Sequence, residues 1–450
     1  MMKRSHIAIL VFTLIGWTGV CVAQDNARLA ERTLNGTARY VGMAGAMTAI
    51  GGDPSAAMDN PAGLGLYRRS ELMITIDYAY DLVAQQGLKA DPKKTHIFSA
   101  PQASWVVCFP TTNIYEVGTQ FHNLMLSYRR LHTYDRAFYA HGGADASLGA
   151  LVAATGVNLG MDYCTDRMNR DNLLNIREGG GIDEYAFQWA TNISNKWYVG
   201  LGINMQSYHM TSEGIYEETF AQFSPIYNKY YYNRNATSLL FSGLSCTFSA
   251  GLIYRPLHWL RMGFSLQTAS MGYVTTYTNG TFSAQTDSIG ISNAPEGVWD
   301  DSDIRLPWRT STSLAFQLSK IGMISLQYDY AHIKGVDDMH ALRAGMEFVP
   351  VAGMYINAGY AYESTFNSHI APVPMVQSFD RQDTYYMRPM GTQYASVAMG
   401  FRGKYMIAQA AYQYRWQRIA IGAHEDAQPY NMHADTHRIV ITLAWHRPNI

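Results

Sequence analysis

The chain has 450 residues, with 34 Lys and Arg against 35 Asp and Glu, and this near-neutral balance excludes a nucleic-acid binder built on a basic surface. Charged residues make up only 15% and aromatics 13%, led by 32 Tyr. Soluble domains carry roughly 25% charge, so the composition points away from one and toward a chain that meets lipid.

The first element is a leader. Lys3 and Arg4 precede an apolar run from Ile7 to Val20, and Cys21-Val22-Ala23 ends it before polar Gln24. This is the pattern of a secretory signal peptide, residues 1–23, cleaved after Ala23. No later stretch is apolar for the ~18 residues that a membrane helix requires. Cys108, Cys164 and Cys246 follow the leader. Three scattered cysteines form neither a disulfide framework nor a zinc site.

Residues 24–70 come next and are rich in small residues. Gly51 to Ser70 reads GGDPSAAMDNPAGLGLYRRS. As a phosphate-binding loop it lacks a preceding strand and a Gly-Lys-Ser/Thr ending. As a compact segment it suits a space already walled, since Gly permits tight turns and close backbone approach.

From residue 71 onward the chain alternates with period two, as half-buried strands do. Leu72, Ile74, Ile76, Tyr78 and Tyr80 share one face, with Thr75, Asp77 and Asp81 on the other. The same holds for Val199–Gln206, Ile324–Tyr330, Leu342–Phe348, Ile356–Glu363 and Met406–Trp416. The alternation predicts strands over 71–83, 96–109, 115–131, 183–193, 196–215, 238–254, 259–278, 308–319, 321–333, 340–349, 351–365, 390–402, 404–418 and 435–447. Tight links are expected at Pro110, Asn195, Pro256, Lys320, Pro350 and Gly403. Long links are expected over 84–95, 132–182, 216–237, 279–307, 366–389 and 419–434, with 334–339 short. Short turns on one side and long loops on the other, an even strand number and aromatics near strand ends describe a transmembrane antiparallel β-barrel. The expected fold is therefore all-β, a barrel of about 14 strands over residues 71–450.

Thr37–Ser70 resembles the N-terminal region of the FadL/OMPP1/TodX family of outer-membrane transport barrels, in its Bacteroidetes form. The resemblance rests on Gly42, Met43, Gly45, Ala46, Ala49, Asp53, Ser55, Asn60, Pro61, Ala62, Gly63 and Leu64. It implies a plug formed by residues 24–70 inside the barrel lumen, with Gly51, Gly52, Asn60, Pro61, Ala62 and Gly63 as its motif. It also implies passive transport of hydrophobic, long-chain fatty-acid-like molecules across the outer membrane of a Gram-negative bacterium. A side opening in such a barrel would follow a kink in the third strand, but His122–Tyr134 contains neither Gly nor Pro.

The inward-facing charges Asp77, Arg129, Asp329, Arg343, Glu347, Glu363 and Arg415 are candidates to line the lumen, either along a ligand path or paired with one another and the plug. His433, Asp435 and His437 share a face, and ordinary polar surface is the reading favoured over a metal site. No oriented nucleophile and base stand out, so no enzyme activity and no cofactor are expected. The expected partners are a hydrophobic small-molecule ligand, outer-membrane lipid, lipopolysaccharide and the barrel-assembly machinery, with the chain itself a monomer and no nucleic acid. Two other readings stay open: a scaffold or cargo-carrier barrel in protein secretion, and a haem-binding receptor, invited by the 14 His residues.

Overall fold

The computed structural model describes residues 27–86, 92–111, 117–142, 170–223, 228–285, 290–293, 297–334, 337–366, 386–422 and 429–446. The leader and Cys164 lie outside them. Among the described residues the strands are β1 (Glu71–Gln85), β2 (Lys93–Pro110), β3 (Thr119–Thr133), β4 (Arg136–His141), β5 (Arg170–Ile193), β6 (Trp197–Phe223), β7 (Asn228–Leu257), β8 (Leu260–Gln267) and β9 (Ser270–Gln285). They continue as β10 (Gly290–Asn293), β11 (Val298–Leu306), β12 (Trp308–Leu318), β13 (Gly322–His332), β14 (Met339–Val351), β15 (Met354–Glu363), β16 (Tyr386–Arg402), β17 (Met406–Gly422) and β18 (Tyr430–His446).

Three walls of the barrel are built from broken strands. β3 and β4 both pair with β5, β8 and β9 both pair with β7, and β10, β11 and β12 pair with β9 and β8. Pro307 explains the break before β12, because a proline has no N–H for the ladder. With these breaks joined, the segments make 14 antiparallel strands, closed by β1 on β18 from Glu71↔His446 to Gln85↔Met432.

Period-two alternation sorts the wall into two faces. Leu72, Ile74, Leu201, Ile203, Phe264, Leu326, Ile356, Val397, Ile439 and Ile441 are exposed on the outside. Thr75, Gln102, Asn123, Glu184, Asn204, Gln327, Asn357 and Gln409 are buried on the inside. A closed sheet satisfies every backbone group within itself, and an apolar outer belt with a polar lumen is the arrangement that spans a bilayer. Trp197, Trp259, Tyr405 and Trp445 rim the belt at the short-turn end, while Tyr78, Tyr328 and Tyr412 rim the other.

The short turns stand at Ser194–Lys196, His258–Trp259, Ser319–Ile321, Ala352–Gly353 and Gly403–Tyr405, two of them two residues beyond the expected Pro256 and Pro350, each the penultimate residue of its strand instead. Ser194 and Asn195 both adopt positive φ, 56° and 52°, as a two-strand connection that follows the sheet twist requires. The link after Pro110 is longer than expected, because β3 begins only at Thr119. The far side departs from expectation in the opposite sense. β5 starts at Arg170 rather than 183, β6 and β7 run to Phe223 and from Asn228 through the expected loop 216–237, and β9 to β11 occupy most of 279–307. β17 and β18 likewise take much of 419–434. Above the lipid belt neither face of a strand must be apolar, so the alternation fades there although the ladder continues.

The chain before β1 lies inside this wall. A helix over Ala38–Gly42 follows the N-cap Thr37, a second over Pro54–Asp59 follows the N-cap Asp53, and a 3-10 turn over Pro61–Leu66 follows Asn60. Its backbone and side chains bond to strands all round the barrel: Ala38 N to Thr442 Oγ1 at 2.8 Å, Arg39 N to Gln409 Oε1 at 3.1 Å, Thr48 N to Gln327 Oε1 at 3.0 Å, and Asn123 Nδ2 to Leu64 O at 2.8 Å.

Candidate functional site

The luminal segment owes its shape to local chemistry. Gly51 and Gly52 adopt consecutive positive φ values of 60° and 64°, which only Gly does at no steric cost, and the Gly52 N–H donates to Gly63 O at 3.0 Å. Asn60 is fully buried; its Oδ1 accepts from Ala62 N at 3.1 Å and its Nδ2 donates to Thr48 O at 2.8 Å. Pro61 starts the 3-10 turn where a missing N–H costs nothing. Asp53 accepts from Ser55 N at 2.9 Å and from Thr37 Oγ1 at 2.7 Å, and burial raises its carboxyl above the usual range.

The wall is hollowed to receive this turn. A Cβ on Gly251 would meet Asn60 Oδ1 at 1.9 Å, and one on Gly200 would meet the Pro61 carbonyl carbon at 2.3 Å. Gly345 and Gly359 stand as close to the backbone of Met43 and Ala44, at 2.6 and 2.5 Å.

All seven lumen candidates read from the sequence face inward and are held by partners. Arg129 bridges Asp59 at 2.8 Å and Glu184 at 3.1 Å. Arg343 joins Asp329, at 2.6 Å, to Glu363. Glu347 holds Arg39 at 2.6 Å, Asp77 pairs with Arg438, and Arg415 reaches Thr436 at 3.0 Å and Asp81 at 3.7 Å. Around Asp59 the charges settle against burial: desolvation pushes the carboxyl up, and Arg129 with the Tyr40 hydroxyl brings it below the ordinary value. Arg39, Asp59, Arg136, Glu184 and Arg438 were not singled out from sequence; inward parity on a strand was a signal for Glu184 and Arg438, whereas Arg136 fell in an expected loop.

Arg129, Arg343, Arg415, Asp59, Asp329 and Glu363 of this network border a cavity of about 170 Å³ between the arm Ala27–Asn35 and the wall. Its apolar lining includes Ala27, Ala30, Leu131, Tyr134, Phe138 and Phe366, the first four of them and Phe366 at the edge of a larger buried cluster, and the carboxylates of Glu31, Asp59, Glu178, Asp329 and Glu363 also line it. Arg32 and Arg309 stand in the same lining. Arg32 donates to Gln267 Oε1 at 2.9 Å; Arg309 donates to Ala30 O at 2.6 Å and lies over the Phe366 ring at 5.6 Å. Among the described residues neither has a carboxylate at ion-pair distance. Burial lowers the pKa of Arg32. Sequence reasoning missed both: Arg32 precedes the motif, and Arg309 stands beside a strand break.

The ladder of the third wall strand is interrupted, and β4 packs over the interruption against both β1 and β2. β3 pairs with β2 only from Pro110↔Phe121 to Gln102↔Arg129, so Lys93–Pro101 of β2 pairs with β1 alone. After Thr133 the strand breaks at Tyr134–Asp135, and β4 turns inward onto β1. Arg136 holds Asp81 at 2.8 Å, and Gln85 exchanges hydrogen bonds of 3.0 and 2.8 Å with the His141 backbone. His122–Tyr134 carries no kinking residue, but its neighbours do. Gly180 of β5 has a φ of 100° and its N–H donates to Asp135 Oδ1 at 3.0 Å, while Pro101 ends the pairing on β2.

His433 and His437 do not form a metal centre with Asp435. Asp435 accepts from the Tyr414 hydroxyl at 3.1 Å, and His437 Nδ1 lies 2.7 Å from the Tyr412 hydroxyl on the outer face. Among the described residues no three His, Cys, Asp or Glu side chains are placed to hold a metal ion.

No protein-family model matches the chain, and no curated protein matches its sequence. Solved structures do. A FadL homologue from Pseudomonas aeruginosa superposes with a TM-score of 0.55 at 11% identity, over 92% of this chain and 99% of that one. The CymD monoaromatic hydrocarbon channel gives 0.53 at 10% identity over 93% and 100%. The toluene transporter TodX from Pseudomonas putida gives 0.53 at 10% over 92% and 99%. The chain has the fold of the FadL, CymD and TodX barrels, as the resemblance of Thr37–Ser70 implied.

Proposed function

We propose that the chain is a passive channel of a Gram-negative outer membrane for hydrophobic small molecules that carry an acidic head, of the long-chain fatty-acid kind. The observation that carries this reading is the cavity: Ala27, Ala30, Leu131, Tyr134, Phe138 and Phe366 offer apolar surface for a hydrocarbon tail beside Arg32 and Arg309, neither of which stands in an ion pair among the described residues although Asp59, Asp329 and Glu363 share the lining. A guanidinium in a half-buried site pairs well with a ligand carboxylate, because it offers a planar fork of donors. Residues 24–70 act as the plug that closes the direct path down the lumen. On this reading the ligand leaves where β4 replaces the β2–β3 ladder, by a displacement of β4 that spares the Asn60 turn. The shared fold with barrels described as hydrocarbon and toluene transporters supports the same class of cargo.

The test is lipid extraction and native mass spectrometry of the purified barrel, followed by binding of palmitate and of hexadecane. Arg309→Gln and Arg32→Gln should each weaken palmitate by about ten- to hundredfold, the value of a hydrogen bond to a charged group, and leave hexadecane unchanged. Equal affinity of the wild type for the acid and the hydrocarbon, or co-purification of protein partners alone, would refute the proposal.

A further inference from the structure

Among the described residues, the exposed charges on and beside the short turns are of one sign. Arg68 and Arg69 before β1, Lys196 between β5 and β6, Lys320 between β12 and β13, Arg402 at the end of β16 and Lys404 between β16 and β17 are all exposed. Among the described residues none of the six stands in an ion pair, and the described short turns contain no acid before Glu71, where β1 begins. The whole chain has a net charge of −1, so this is an asymmetry of one end and not a property of the composition.

The cations sit level with the aromatic rim. Lys196 precedes Trp197, whose ring stacks on Tyr254 at 4.0 Å, and Lys404 Nζ lies 5.1 Å from the Tyr405 ring centroid. Indole and phenol rings mark the depth of lipid headgroups. A cation at that depth meets phosphate oxygens, as a point charge for Lys and as a bidentate fork for Arg. The charges are also spread around the circumference, on turns at four separate places in the strand order. A single acidic protein would need them gathered on one side.

We infer that the short-turn rim is a binding collar for the phosphate groups of anionic phospholipids in the leaflet that faces it. The collar fixes the height of the barrel in the membrane and recruits anionic lipid around it. This rests on the membrane-spanning reading of the barrel, and it adds a selectivity that spanning alone does not require.

The experiment uses the full chain in neutral detergent. Wild type and the quadruple variant Arg69→Gln/Lys196→Gln/Lys320→Gln/Lys404→Gln are equilibrated with micelles of phosphatidylglycerol or phosphatidylcholine, and retained lipids are counted by native mass spectrometry. Wild type should retain phosphatidylglycerol about tenfold or more in preference to phosphatidylcholine, in line with the attraction of interfacial cations to anionic lipid. The quadruple variant should lose that preference, whereas Lys196→Arg/Lys320→Arg/Lys404→Arg should keep it. Absence of a preference in the wild type, its survival in the quadruple variant, or displacement of the lipid by soluble polyglutamate overturns the inference. Insertion of both proteins into phosphatidylcholine vesicles, read by heat-modifiable gel mobility, separates loss of the collar from failure of the barrel to span.

Discussion

Replacing Gly251 by alanine asks whether the wall is shaped around the Asn60 turn. The added Cβ would stand 1.9 Å from Asn60 Oδ1 and 2.9 Å from the Ala62 nitrogen. Asn60 cannot swing away cheaply, since it is fully buried and both ends of its carboxamide are bonded, at 2.8 and 3.1 Å. The turn must shift or give up both bonds. Overpacking costs about 1–3 kcal/mol and each buried hydrogen bond about 1 kcal/mol, so the seating of the turn weakens by about 3–5 kcal/mol. The barrel ladder should be spared, because Gly251 pairs with Gly200 and Ser265 through backbone that alanine retains. Limited proteolysis should then cut within residues 43–66, and conductance in planar bilayers should rise, while the heat-modifiable gel shift of the folded barrel stays. Ser249→Ala, two residues away, should change neither. Adding Asn60→Ala removes the worst contact, so the double variant should fall short of additivity. A Gly251→Ala protein with wild-type proteolysis and conductance would show that the close fit has no energetic meaning.

Three further outcomes follow from the same geometry. Arg129→Met leaves Asp59 and Glu184 without their cation, and breaking such a buried pair should cost about 3–5 kcal/mol in urea unfolding of the detergent-solubilised barrel; a loss below 1 kcal/mol contradicts the bridging role. The Glu31 carboxyl is pushed up to about 7 by burial, against the pull of Arg28, and it faces Glu178, Arg136, Arg415 and, at 3.5 Å, His132. Because its folded value lies above that of an ordinary Glu, packing of the arm is favoured at low pH and weakens as the pH rises toward 7. Hydrogen exchange over Ala27–Leu34, corrected for intrinsic rates, should show less protection at pH 8 than at pH 5.5, and Glu31→Gln should flatten the difference. Arg136→Leu removes the link from β4 to Asp81, so exchange over 134–141 should quicken and palmitate uptake into vesicles should change; unchanged values for both would place the gate elsewhere.

How much of this was legible depends on how far apart the cooperating residues lie. Asp77 could be read as inward from its parity with Thr75 and Asp81. Its partner Arg438 is 361 residues away and arrives only when β18 closes on β1. Arg32 and Arg309 gave no sign of belonging together, since the strand break at Pro307 decides where Arg309 points. The third strand shows the same limit: its own residues promise a straight strand, and the bend is imposed by Gly180 on β5 and the pairing that ends near Pro101 on β2.

The sequence by itself determined the outer belt, a strand number of about 14, the short turns apart from the link after Pro110, and the compact Asn60-Pro61-Ala62 segment, because period-two alternation and turn chemistry act over a few residues. Only the tertiary structure decided which glycines of the wall receive that segment, which charges neutralise one another, and where the ladder of the wall is interrupted. In the sequence Gly200, Gly251, Gly345 and Gly359 are alternates on a polar face. In the closed barrel they are the places where Asn60, Pro61, Met43 and Ala44 come too near for any side chain. Strand register brings them there, and register is a property of the whole ring.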